Sequence, residues 1–150
     1  MTLPALNDNG DLPIGIHAAI WTEIEARFGS STLVRVRAFN KLKLLHTLAS
    51  LTGRMTRFLI FGSFVSDTAE PRDVDVALVM AADFKIEACP REAKTLFDHA
   101  DADAKFGASV FWLREGMLSQ ELMTDFFDVW QTRRDGKKRG MLEVIDRDSQ

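Results

Sequence analysis

The sequence has a single cysteine, Cys89, so no internal disulfide can form, and this agrees with a reducing, cytoplasmic setting. It lacks any apolar run near the roughly 18–20 residues that a membrane helix needs, which excludes a helical span. The opening segment, MTLPALNDNGDLP, carries acids and no basic cluster, so it does not read as a secretory signal. There is no surplus of positive charge either. Lys and Arg number 19 against 22 Asp and Glu, a net −3, which argues against a large nucleic-acid footprint and leaves room only for a local basic patch. With 46% hydrophobic and 27% charged residues, the composition is that of a folded chain rather than a disordered one. A length of 150 residues suits one domain.

Residues 1–16 read as an irregular arm, punctuated by Pro4, Gly10, Pro13 and Gly15, and residues 17–150 as a single domain. Ile20, Trp21, Ile24 and Phe28 predict a short helix over 19–28, stopped by Gly29. Ser30 or Ser31 then caps a longer helix running to Leu51. Its apolar stripe is Val34, Ala38, Leu42, Leu45 and Leu48 or Ala49, and Arg35, Arg37, Lys41 and Lys43 form a solvated opposite face. Phe58 to Phe61 is a strand buried on both sides, and Asp73 to Met80 a second strand. Pro90 opens a helix with Ala93, Leu96, Phe97, Ala100 and Ala104 on one face, and Gly107 stops it. A third strand, 108–113, precedes a helix over 117–131 with Leu118, Leu122, Phe126 and Trp130 in line; Met141 to Ile145 is a short terminal strand. Strands alternating with helices in one unit predict an α/β (α+β) fold, a small mixed β-sheet with helices packed on it.

The informative stretch is Phe58 to Met80. It reads as apolar strand, Gly62-Ser63, nine residues, Asp73-Val74-Asp75, apolar strand. Residues two apart on a strand share a face, so Asp73 and Asp75 point together while Val74 and Val76 enter the opposite layer. Two adjacent carboxylates repel, and a hard divalent cation relieves the repulsion. Mg²⁺ takes a few carboxylate oxygens and keeps positions open for phosphate. Gly62 lets backbone approach a ligand closely, and a helical turn starting at Ser63 would present free N–H groups to it. Gly-Ser or Asp-x-Asp alone is usually a turn or a solvated strand end. Together, at the ends of adjacent apolar strands, they point to one site.

This pattern resembles the signature of the DNA polymerase β-like nucleotidyltransferase superfamily: an apolar residue, Gly, Gly or Ser, nine to thirteen residues, then Asp, apolar, Asp or Glu, apolar. Here it reads Phe61-Gly62-Ser63, nine residues, Asp73-Val74-Asp75-Val76. More narrowly, Asp11-Leu12-Pro13-Ile14-Gly15-Ile16-His17, Phe61-Gly62-Ser63-Phe64-Val65 and Gln131-Thr132-Arg133-Arg134-Asp135-Gly136 resemble a group of small, poorly characterised bacterial nucleotidyltransferase-like proteins, over roughly residues 11–145. The resemblance implies a nucleotidyltransferase-like fold, a nucleoside triphosphate substrate with Mg²⁺, and nucleotidyl transfer to a protein, RNA or small-molecule hydroxyl. It makes Asp73 and Asp75 the catalytic metal ligands and Gly62 and Ser63 the nucleotide contacts. Active members carry a third carboxylate near the start of the third strand. Ser109 is the match to that position here, with Asp101 and Asp103 as upstream substitutes. The alternative is therefore a catalytically degenerate interaction module, such as an antitoxin that binds a toxin-like partner protein in a toxin–antitoxin pair.

Arg133, Arg134, Lys137, Lys138 and Arg139 are the one dense basic segment; they read as a solvated turn, a triphosphate neutraliser or an RNA contact. His17, His46 and His99 show no metal-ligand spacing, and Cys89 has no nearby His to activate it. Phe126, Phe127 and Trp130 read as core rather than as a base-stacking platform.

Overall fold

The apolar run Phe58–Phe61 forms the fully buried end of β2 (Met55–Phe61), because its large side chains alternate between two hydrophobic layers. A computed structural model describes residues 3–145 and shows a mixed α+β fold. The other strands are β1 (Ile16–Ala19), β3 (Val74–Met80), β4 (Ala108–Arg114) and β5 (Met141–Val144), in the sheet order β1-β5-β2-β3-β4. β1 runs parallel to β5 and β3 parallel to β4, while β2 is antiparallel to both β3 and β5.

One sheet face buries Phe58, Ile60, Val74, Val76, Leu78, Val110 and Leu142. Three helical segments cover it: α1 (Trp21–Phe28), α2 (Leu33–Ser50), and the pair α3 (Arg91–Lys94) and α4 (His99–Phe106). The opposite face is smaller. Leu59, Phe61, Ala77, Val79 and Met141 meet Met123, Phe127 and Trp130 of α5 (Gln120–Trp130). Among the described residues no helix is long and apolar enough to cross a membrane.

Several sequence expectations need correction. The arm is irregular over residues 3–15 as expected, but Leu3 and Leu12 are buried and Ile16 already belongs to β1. Thr32, rather than Ser30 or Ser31, caps α2, its hydroxyl accepting the Arg35 N–H. The helix after Pro90 is interrupted, because the Asp98 side chain caps a fresh helix by accepting the Asp101 N–H. That break turns Ala102 inward and leaves Ala100 and Ala104 exposed. On α5 the sheet-facing residues are Met123, Phe127 and Trp130, while Leu122 and Phe126 face out. The expected terminal strand ends at Val144, one residue early. Residues 146–150 of the expected domain lie outside the described residues.

Candidate functional site

The site grows from sheet register. Phe61 lies opposite Asp75 across β2 and β3, and Asp75 lies opposite Ser109 across β3 and β4. Paired residues share a face, so Phe61, Asp75 and Ser109 all open on the α5 side. Val74 and Val76 fill the other layer. Asp73 stands exposed just before β3, near enough to act electrostatically on Asp75.

Gly62 is required here for two reasons. Its φ is +83°, a left-handed value that L side chains rarely adopt, and a Cβ at this position would collide with the Asp75 carboxylate. Gly62 opens a 3₁₀ turn, Gly62–Val65, that carries half-buried Ser63, whose carbonyl accepts the Ser66 hydroxyl at 2.6 Å.

Burial pushes the Asp75 carboxyl up to about 6, since a charge removed from water is disfavoured. A hydrogen bond donated by the Ser109 hydroxyl pulls it back, the negative charge of Asp73 raises it, and Arg139 and Arg134 lower it. Asp75 is thus a half-buried acid that the fold holds against its electrostatic preference, beside a second carboxylate. Among the described residues no three His, Cys, Asp or Glu side chains gather as a metal cluster. Asp73 and Asp75 by themselves are too few donors for an all-protein cation cage.

Two surrounding networks were not legible in the sequence. Arg35, expected on a solvated face, is only 3% exposed. Its guanidinium donates to the carbonyls of Phe28 (3.0 Å), Phe64 (2.8 Å), Ser66 (2.6 Å) and Thr68 (2.6 Å), and so braces the turn that bears Gly62 and Ser63. Asp11, fully buried in the arm, accepts Arg133 Nη1 and Arg139 Nε at 2.7 Å each. The basic segment is therefore not a uniformly solvated turn. Two of its arginines clasp the arm, Lys138 pairs with Asp128, and Arg134 stays exposed.

The remaining candidates do not join the site. Asp101 and Asp103 are exposed on α4, which packs on the opposite sheet face from Ser109. A His17 ring nitrogen bonds the Pro13 carbonyl, His99 bonds the Val110 carbonyl, and His46 packs edge-on against Trp21 and Phe58. Cys89 is buried in the larger core. Phe127 and Trp130 are core as expected, whereas Phe126 is 40% exposed.

The family model of DUF6932 matches residues 4–145, nearly the whole described chain. The chain belongs to DUF6932. This is a family of unknown function, so membership groups the arm, the acidic pair and the basic loop in one unit without assigning them an activity. No curated protein and no solved structure matches the chain.

Proposed function

We propose that this DUF6932 protein is a cytoplasmic, nucleotidyltransferase-like protein that binds a nucleoside triphosphate with Mg²⁺ and transfers a nucleotidyl group to a hydroxyl. The acceptor belongs to a protein, an RNA or a small molecule. The observation that carries this reading is the close packing of Asp75, beside Asp73, against the bare backbone of Gly62 at one end of the sheet. Mg²⁺ held by Asp73 and Asp75 would supply charge neutralisation and alignment of the attacking and leaving oxygens. Gly62 and Ser63 would contact phosphate, and the Ser109 hydroxyl would orient the Asp75 carboxylate. The acceptor oxygen bonds to the α-phosphorus, the bond from that phosphorus to pyrophosphate breaks, and the hydroxyl proton goes to solvent.

A second reading is a degenerate module that neutralises a partner protein. Two observations favour it: a hydroxyl, Ser109, stands opposite Asp75 where a third acid is expected, and α5 exposes Leu122, Phe126 and Val129 on consecutive turns. Incubation with each α-labelled nucleoside triphosphate, Mg²⁺ and host lysate separates the two. Label moving to an acceptor, and lost in Asp73→Asn/Asp75→Asn, supports transfer. Binding without transfer supports the module. Absence of both binding and transfer overturns the nucleotide reading.

A further inference from the structure

Ile60 pairs with Leu142, which brings Phe61 level with Met141, while Phe61 pairs with Asp75 and Asp75 with Ser109. Arg139 precedes Met141 by two residues and Asp73 precedes Asp75 by two, and Arg139 and Arg134 both lie near enough to act electrostatically on Asp75. The basic loop therefore runs into β5 at the sheet end where Asp75 lies. Its position is set by the arm. Gly140 N–H donates to the Leu12 carbonyl (2.9 Å), Gly15 N–H to Gln131 Oε1 (2.7 Å), and Arg139 N–H to the Gln131 carbonyl (2.7 Å). Asp11 then takes one bond from Arg133 and one from Arg139.

This leaves Arg134 between two fixed neighbours, exposed, with no side-chain hydrogen bond or ion pair to any described residue. Arg139 uses Nε on Asp11 and keeps its Nη groups clear of that bond. A planar guanidinium donates in pairs to phosphate oxygens, so two of them beside the acid pair suit a polyphosphate rather than a neutral ligand. The Asp11 side chain spends both its oxygens on Arg133 and Arg139, while its backbone bridges to Ser66.

We infer that Arg134 and Arg139 form an anion-binding lip for the polyphosphate of the substrate, and that Asp11 is the positioning residue that sets this lip over the acid pair. The inference rests on the nucleoside triphosphate reading for its natural ligand, but the lip is testable without it. Inorganic tripolyphosphate, titrated calorimetrically in metal-free buffer, is the probe.

Arg134→Ala, an exposed change that leaves the fold intact, weakens tripolyphosphate binding about tenfold, the size of one lost charge-assisted contact. Asp73→Asn/Asp75→Asn leaves that binding intact or tighter, by removing repulsion, while abolishing Mg²⁺·ATP binding. Asp11→Asn, and Arg133→Gln as a second cut of the same clasp, weaken tripolyphosphate binding but leave Mg²⁺ affinity at the acids unchanged, a split that general loosening would not give. Equal tripolyphosphate affinity in wild type and Arg134→Ala overturns the lip. Parallel loss of Mg²⁺ and anion affinity in both clasp variants overturns the positioning role. Tripolyphosphate binding that needs Arg134, with no Mg²⁺·ATP binding in wild type, removes the nucleotide reading and leaves the lip standing.

Discussion

The Asp75 carboxylate occupies the space that a side chain on Gly62 would fill. The contact joins the two halves of the acidic motif, and it makes glycine a steric requirement as well as a conformational one. Gly62→Ala forces a left-handed φ on a residue with a Cβ, which costs about 1–2 kcal/mol, and also displaces the carboxylate. Adding Asp75→Ala restores the collision part only. A urea double-mutant cycle should give a favourable coupling of about 1 kcal/mol or more; strict additivity would mean the two residues do not touch.

Asp75 also sets a pH signature. Its folded-state value of about 6 lies above the ordinary 3.8, so the native state holds the proton more tightly than the unfolded chain. Its contribution to stability is therefore greatest below about pH 4, falls as the pH rises toward 6, and stays lowered above it. The loss is on the order of 2–3 kcal/mol, because each tenfold gain in proton affinity is worth about 1.4 kcal/mol. Asp75→Asn should raise stability by that order at pH 7.5 and change nothing near pH 3.5. Superimposable stability profiles for wild type and variant would contradict this.

Arg35 braces the turn that presents Gly62 and Ser63. Arg35→Met leaves buried carbonyls of Phe28, Phe64 and Ser66 without this donor and should destabilise the chain by roughly 3 kcal/mol or more. Arg35→Lys should restore little, because one ammonium cannot reproduce the guanidinium fork. Chemical denaturation checks the first claim, and amide exchange over residues 62–68 checks where the loosening falls.

Much of this was legible in the sequence, and the exceptions share a cause. Four large apolar residues at Phe58–Phe61, bounded by Gly62, read as a doubly buried strand, and Gly62 with Asp73 and Asp75 sits at strand ends fixed by that run. The parts that were missed depend on partners distant in the chain. Ile16–Ala19 is a strand because it pairs with Met141–Val144, and the sequence Ile-His-Ala-Ala has little strand character of its own. Asp11 is 122 residues from Arg133, so nothing local distinguishes it from a solvated acid. Arg35 shares a helix with the exposed Arg37 and Lys43, and only carbonyls of α1 and of residues 64–68 draw it inward.

Ser109 tests the expected place of a third acid. Ser109→Asp puts a further carboxylate against Asp75, so the metal-free protein should lose stability at pH 7 by about 1 kcal/mol or more. With Mg²⁺ the same change should tighten metal binding and raise any transfer rate. Calorimetric Mg²⁺ titration of both proteins, beside their metal-free melting curves, reads the two effects. Unchanged metal affinity would show that position 109 does not face the ion.

The central claim, that Asp73 and Asp75 bind a metal–nucleotide complex, is tested most directly by thermal unfolding with and without Mg²⁺·ATP and the other Mg²⁺·nucleoside triphosphates. A ligand at 100 times its Kd stabilises by about 2.7 kcal/mol, so a Tm rise of several degrees is predicted for wild type. That rise should need Mg²⁺ and vanish in Asp73→Asn/Asp75→Asn, whose own Tm at pH 7 is at least that of wild type. No shift with any nucleotide, or the same shift in the double variant, would contradict the claim.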